Sequence, residues 1–132
     1  MIISPEAAAD KMRQQADRAF RALILECARR IIFRTPVDTG RARGNWQISI
    51  GSPRPTPDER TDKDGGSTVF NIVGDTKSVD SGEVVFLLNG LPYIVYLERG
   101  TSDQSPSGMV AITVAELQDF AREVAAEIRR VQ

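Results

Sequence analysis

The 29 residues that follow Pro5 contain neither Gly nor Pro, and no other feature restricts the chain so strongly. Ser4 suits a helix N-cap and Pro5 the first helical position. Within this run Met12, Ala16, Phe20 (with Ala19), Leu23, Cys27 and Ile31 recur at spacings of three and four. That is one apolar stripe on a 3.6-residue period, and it predicts a single helix from about Pro5 to about Arg34. Asp17 with Arg21 and Glu26 with Arg30 are neighbours on its surface. At 1.5 Å per residue such a helix is ~45 Å long, more than a compact domain of this size needs. Either it is a long core helix, or part of it lies against another subunit.

A second helix is expected from about Met109 to Arg130. Val110, Val114, Leu117, Ala121, Val124, Ile128 and Val131 follow a 4-3-4-3-4-3 spacing, a heptad seam that suits antiparallel pairing with the first helix or packing across a sheet. Glu116, Asp119, Arg122, Glu123, Glu127 and Arg129 form its polar face, read as solvated.

Between the helices the period changes. Trp46, Ile48 and Ile50 alternate with polar residues, as in a half-buried strand over 46–51. The apolar runs 69–73 and 83–88 are of strand length, and the segment 74–82 between them reads as a hairpin loop. Tyr93, Tyr96 and Leu97 are spaced for one face of a short helix, with Gly100 as its C-terminal cap. The expected fold is therefore α+β: a long N-terminal helix, a central antiparallel sheet of three to five strands, a short helix and a long C-terminal helix. All 132 residues form a single domain. Residues 51–68 offer nothing apolar to bury except prolines, so they read as a long, mobile, protruding loop.

The inventory excludes much chemistry. Cys27 is the only cysteine and there is no histidine, which removes internal disulfides, zinc sites of the usual kind, Ser-His-Asp triads and Cys-His dyads. Asp58, Glu59, Asp62 and Asp64 lack the ligand spacing of a calcium loop and read as a solvated cluster. Gly40-Arg41-Ala42-Arg43-Gly44 lacks the Gly-Lys-Ser/Thr ending of a phosphate-binding loop. Cys27 lies on the apolar stripe and reads as packing. No enzyme activity and no cofactor is expected. The net charge of −1, from 17 Lys+Arg against 18 Asp+Glu, argues against a protein that coats nucleic acid or an anionic membrane. No apolar run reaches the ~18 residues of a membrane span, and residues 1–5 lack the charged and apolar regions of a signal peptide. Arg29, Arg30, Arg34, Arg41 and Arg43, with Trp46 just beyond, make a locally basic stretch, so a nucleic-acid-binding module using Arg29–Arg43 is the alternative reading.

Three segments stand in a recognisable order: Thr35-Pro36-Val37-Asp38-Thr39-Gly40-Arg41-Ala42-Arg43-Gly44-Asn45-Trp46, then Tyr93-Ile94-Val95-Tyr96-Leu97-Glu98-Arg99-Gly100-Thr101-Ser102, then Gln104-Ser105-Pro106-Ser107-Gly108-Met109-Val110. Together they resemble the neck and tail-completion (head–tail joining) proteins of long-tailed bacteriophages, of the minor-tail-protein-Z type. Ala42 departs from the pattern, where relatives often carry a larger apolar residue.

The resemblance implies a structural virion protein that forms a homo-oligomeric ring, a hexamer, at the neck or the head-proximal end of the tail tube of a siphovirus. It would act there in tail completion and head–tail joining, after assembly in the host cytoplasm. Its partners would be copies of itself and neighbouring neck, head-closure, tail-tube or tail-terminator proteins. DNA would pass through the lumen without sequence-specific binding, and no membrane would be involved. On this reading Arg41, Arg43, Trp46, Tyr93, Tyr96, Glu98 and Arg99 are expected at oligomer interfaces. Arg54, Asp58, Glu59, Arg60 and Lys63 are expected on a partner-contact loop.

Overall fold

A computed structural model describes residues 2–54 and 59–131, apart from the side chains of Ile128 and Val131. The fold is α+β and mostly helical. In chain order it comprises α1 (Pro5–Arg34), a one-turn α2 (Arg41–Gly44), β1 (Trp46–Ile50), α3 (Gly66–Thr76), β2 (Val85–Asn89), a short α4 (Ile94–Glu98) and α5 (Val110–Val131).

α1 begins and ends where its sequence says it should. Ser4 Oγ accepts the Ala7 N–H at 3.1 Å, and Pro5 occupies the first turn. Thr35 turns extended ahead of Pro36, which cannot continue a helix. α5 runs antiparallel to α1: Arg34 donates to Thr113 Oγ1 at 2.8 Å, Arg30 to Glu116 Oε2 at 2.6 Å, and the Arg30 guanidinium lies 5.8 Å from the Phe120 ring centre. The core between them and the sheet gathers Ala28, Ile31, Ile32, Trp46, Ile72 and Met109. Full burial of Ile32 or Met109 stabilises the fold by about 2–3 kcal/mol each.

β1 and β2 pair antiparallel, with Trp46 opposite Asn89, Ile48 opposite Leu87 and Ile50 opposite Val85. Trp46, Ile48 and Leu87 join the core. Among the described residues the sheet has these two strands, not three to five. The missing strand is the run 69–73, which lies in α3. Its buried positions, Thr68, Ile72 and Thr76, are four apart, whereas Phe70 stands in solvent. An apolar run of this length is equally compatible with a buried helix segment, and here the start signal before it decides. The expected hairpin at 74–82 is accordingly the end of α3 and a turn that reaches back to α1. Arg21 Nε donates to Val79 O at 2.7 Å, and Asp17 Oδ1 accepts both the N–H and the hydroxyl of Ser81.

Each long helix departs from expectation at particular positions. On α5 Thr113 is buried while Val114 is 54% exposed, because the Thr113 hydroxyl donates to Met109 O and accepts Arg34. Glu116, expected in solvent, receives both Arg30 and Arg34. On α1 burial is confined to the C-terminal half, with Ala28, Ile31 and Ile32 inside, whereas Met12 and Ala16 lie bare. The bonds from Asp17 to Ser81 tie α1 to the turn after α3. The helix continues for twelve more residues, ~18 Å, and of residues 2–14 all but Ala8 are exposed.

Candidate interaction surface

The segment 35–46 folds around two small hubs. Thr35 is fully buried: its hydroxyl donates to Ile31 O at 2.7 Å and accepts Trp46 Nε1 at 2.8 Å. Arg43 then clamps three carbonyls, those of Phe33, Thr35 and Lys63. Gly40 has φ +88°, and its carbonyl accepts the N–H of Gly44 and that of Asp62, both at 2.9 Å. A Cβ at Gly40 would stand 2.7 Å from Lys63 N and 2.8 Å from Asp62 C. Glycine is therefore required here twice over, for its conformation and for the approach of a second strand of chain. The Gly40–Gly44 turn is a cradle for residues 60–63.

What holds those residues is Asp62. Its Oδ1 accepts Gly65 N–H at 3.1 Å, and its Oδ2 accepts the Thr68 N–H at 2.7 Å and hydroxyl at 2.6 Å. Burial opposes its charge, but these bonds, with one from Asp64, outweigh burial and hold its pKa below the usual aspartate value. The carboxylate stands at the start of α3 and offsets the positive end of that helix. Residues 59–65 are thus a fixed part of the fold rather than the second half of a mobile loop, and 66–68 are helix. Glu59, Arg60 and Lys63 are exposed on this fixed segment and Arg54 on the segment before it; Asp58 lies outside the described residues.

The 93–110 region is locked by a second carboxylate. Glu98 accepts the N–H groups of Met109 and Val110 at 2.8 Å and of Ala111 at 2.9 Å, capping α5 from α4. Burial pushes its pKa up, and the three backbone donors more than reverse this, so it lies below the ordinary glutamate value. Two glycines with positive φ let the segments meet. A Cβ at Gly100 would come within 2.2 Å of Pro106 O, and one at Gly108 within 2.3 Å of Glu98 O.

The two regions then join. The Gln104 side-chain amide accepts from Val37 N at 2.8 Å and donates to Val37 O at 2.9 Å, pairing with the turn as a strand would. Between them lies a cleft of about 230 Å³, walled by the turn Pro36–Ala42 on one side and by Tyr93, Leu97, Ser102 and Gln104 on the other. Beside it α4 turns Tyr93, Val95 and Tyr96 outward.

The residues expected at interfaces therefore divide. Tyr93, Tyr96 and Arg99 are exposed, and Arg41 lines the cleft. Trp46 is 5% exposed and belongs to the core; Arg43 and Glu98 hold the fold together. Sequence named Gln104 only within the third segment, and read Asp62 and Glu116 as solvated. A start signal was available for Asp62, three residues before a Gly and six before a Thr, but Gln104 and Glu116 bond across 67 and 82–86 residues and leave no local trace.

The basic stretch is extensively paired. Arg29 and Arg30 bond Glu26, Arg30 and Arg34 bond Glu116, and Arg43 bonds backbone carbonyls. Glu26 is held below its ordinary pKa: burial opposes its charge, and the bonds from Arg30 and Arg29 prevail. Among the described residues no group of three or more His, Cys, Asp or Glu could hold a metal ion, and no helix is long and apolar enough to cross a membrane. No family model, curated protein or solved structure matches the chain.

Proposed function

We propose that the chain is a structural subunit of a tailed-phage virion, forming a homo-oligomeric ring at the neck or head-proximal end of the tail tube, where it completes the tail and joins it to the head. One observation carries this reading beyond the sequence resemblance. The segments that bear the resemblance, 35–46 and 93–110, are far apart in the chain yet fold into one interlocked surface through the Gln104–Val37 pair, the Glu98 cap and the shared cleft. Their glycines and polar residues interlock the face, and Tyr93, Tyr96 and Arg99 are among the side chains left outward, beside Val95, Asp38 and Asp103. Tyr and Arg are the residue types enriched where proteins bind proteins. Closed ring symmetry requires two different surfaces on each copy to meet head to tail. The alternative, a nucleic-acid module, draws on arginines that already have internal partners.

Electron microscopy of particles assembled with a tagged chain tests the proposal. Density for several symmetry-related copies between head and tail is expected. A single copy, or absence from the particle, overturns it.

A further inference from the structure

We propose that the first part of α1, with Ile2 and Ile3 at its far end, reaches out of each subunit and seats in an apolar slot between α1, β2 and α5 of the next copy, head to tail. This rests on the ring reading and names the contact that closes it.

The slot is lined by Phe20, Leu23, Ile24 and Cys27 of α1, Leu87 of β2 and Leu117 of α5, all of them half-buried. Its volume is about 140 Å³ and its walls are almost wholly apolar. A cavity of roughly this size lined by Leu, Ile and Phe takes one benzene-sized group. Ile2 is 98% exposed and Ile3 about half exposed.

Three observations choose a second copy as occupant. The first is reach. α1 runs unbroken from Pro5 and carries no internal Gly or Pro, so Pro5 stands ~22 Å from Phe20 along the axis, and the two-residue step from Ile3 to the helix is too short to bring Ile3 back into its own slot. The second is continuity. Met12 and Ala16 extend along the bare part of the helix the same stripe whose lower part, Phe20, Leu23 and Cys27, lines the slot. The third is fit: branched aliphatic knobs without a cover and an apolar slot without a filling occur on two different surfaces of one chain. Head-to-tail closure needs that combination.

The lone Cys27 makes the contact testable. Ile3→Cys adds a thiol just beyond the start of α1, and because the helix sets Pro5 ~33 Å from Cys27, the two thiols of one chain are too far apart for a short bis-maleimide to bridge. Particles assembled with this variant are treated at mildly alkaline pH, because burial pushes the Cys27 thiol up. Expected is a ladder of joined chains on a denaturing gel, rising to the copy number of the ring and absent in I3C/C27A. A ring visible by microscopy that yields no Cys27-dependent ladder overturns the inference and leaves the ring. A Cys27-dependent ladder that stops at two chains overturns the head-to-tail geometry and the ring, because mutual exchange closes at a dimer. A chain found as a single copy in the particle overturns both. Ile2→Ser/Ile3→Ser alters only exposed residues and should fold normally. Its incorporation into particles should fall about tenfold. Unchanged incorporation would refute the contact.

Discussion

The two halves of α1 carry similar kinds of sequence and live in different surroundings. From Asp17 to Arg34 the helix is gripped by α5, by α3 and by the turn after α3, and Ala28, Ile31 and Ile32 are buried. Upstream of Asp17 the same stripe continues in Met12 and Ala16, which are exposed. An isolated helix of about a dozen residues is marginal in water. As an extension of a helix already nucleated below, the bare half needs no new nucleus, but without packing it frays more readily than the gripped half. The gripped half builds the subunit; under the proposed head-to-tail contact, the bare half is the part that would serve assembly.

That contrast is broken most severely where the body has no room. Gly108→Ala puts a Cβ 2.3 Å from Glu98 O at a residue with φ +77°, so the α5 start must shift off its cap. A loss of roughly 4 kcal/mol or outright failure to fold is expected in urea unfolding. A wild-type midpoint in G108A would show that the 98–108 junction is slack.

Paired truncations sharpen the same contrast. Ile32→Ala empties a fully buried site and should lose about 3–4 kcal/mol. Met12→Ala, on the same helix but exposed, should change stability by less than ~0.5 kcal/mol. Thermal unfolding of both decides whether the halves differ; equal losses would mean that the N-terminal part is packed.

Replacing residues 59–65 with Gly and Ser tests how firmly the loop is held. Because Asp62 secures the start of α3, this change should destabilise the fold by about 2 kcal/mol, which chemical denaturation would measure. No measurable loss would return this segment to the role of a free arm.

Acid should affect the body and not the extension. Asp62 and Glu98 have folded pKa values below their ordinary ones, so the unfolded chain binds protons that the folded chain refuses. Their stabilisation is complete above the ordinary carboxylate range and is lost as pH falls below about 4.5 through the lowered values. Asp62→Asn should be less stable than the parent at pH 7, with the difference shrinking toward pH 3. A difference independent of pH would show that charge is not what Asp62 contributes.

The long helices and the short one were legible because their signals are local: Ser4-Pro5 at the start, Pro36 at the end, and a 3.6-residue stripe between. β1 was legible from alternation alone. The run 69–73 was not, since four apolar residues in five fit a strand or a buried helix, and the deciding carboxylate lies seven residues upstream. The heptad seam of α5 failed at one position, Val114, because Thr113 is buried in its place through hydrogen bonds that hydropathy does not register. Of the candidate surface, sequence pointed to the two segments; the alternation of β1 already put Trp46 with Ile48 and Ile50, against the interface role the resemblance implied, but nothing local showed that its indole bonds Thr35 or that Glu98 caps α5. Those facts depend on contacts between residues 11 or more apart.

Amide hydrogen exchange on the free chain and on the assembled particle tests the division most directly. In the free chain, amides of 6–14 should exchange rapidly, while those of Thr68, Met109 and Val110 stay protected by Asp62 and Glu98. In the particle the 6–14 amides should become protected and the others remain unchanged. Protection of 6–14 already present in the free monomer, or absent from both states, would contradict the assignment of this half of α1 to assembly.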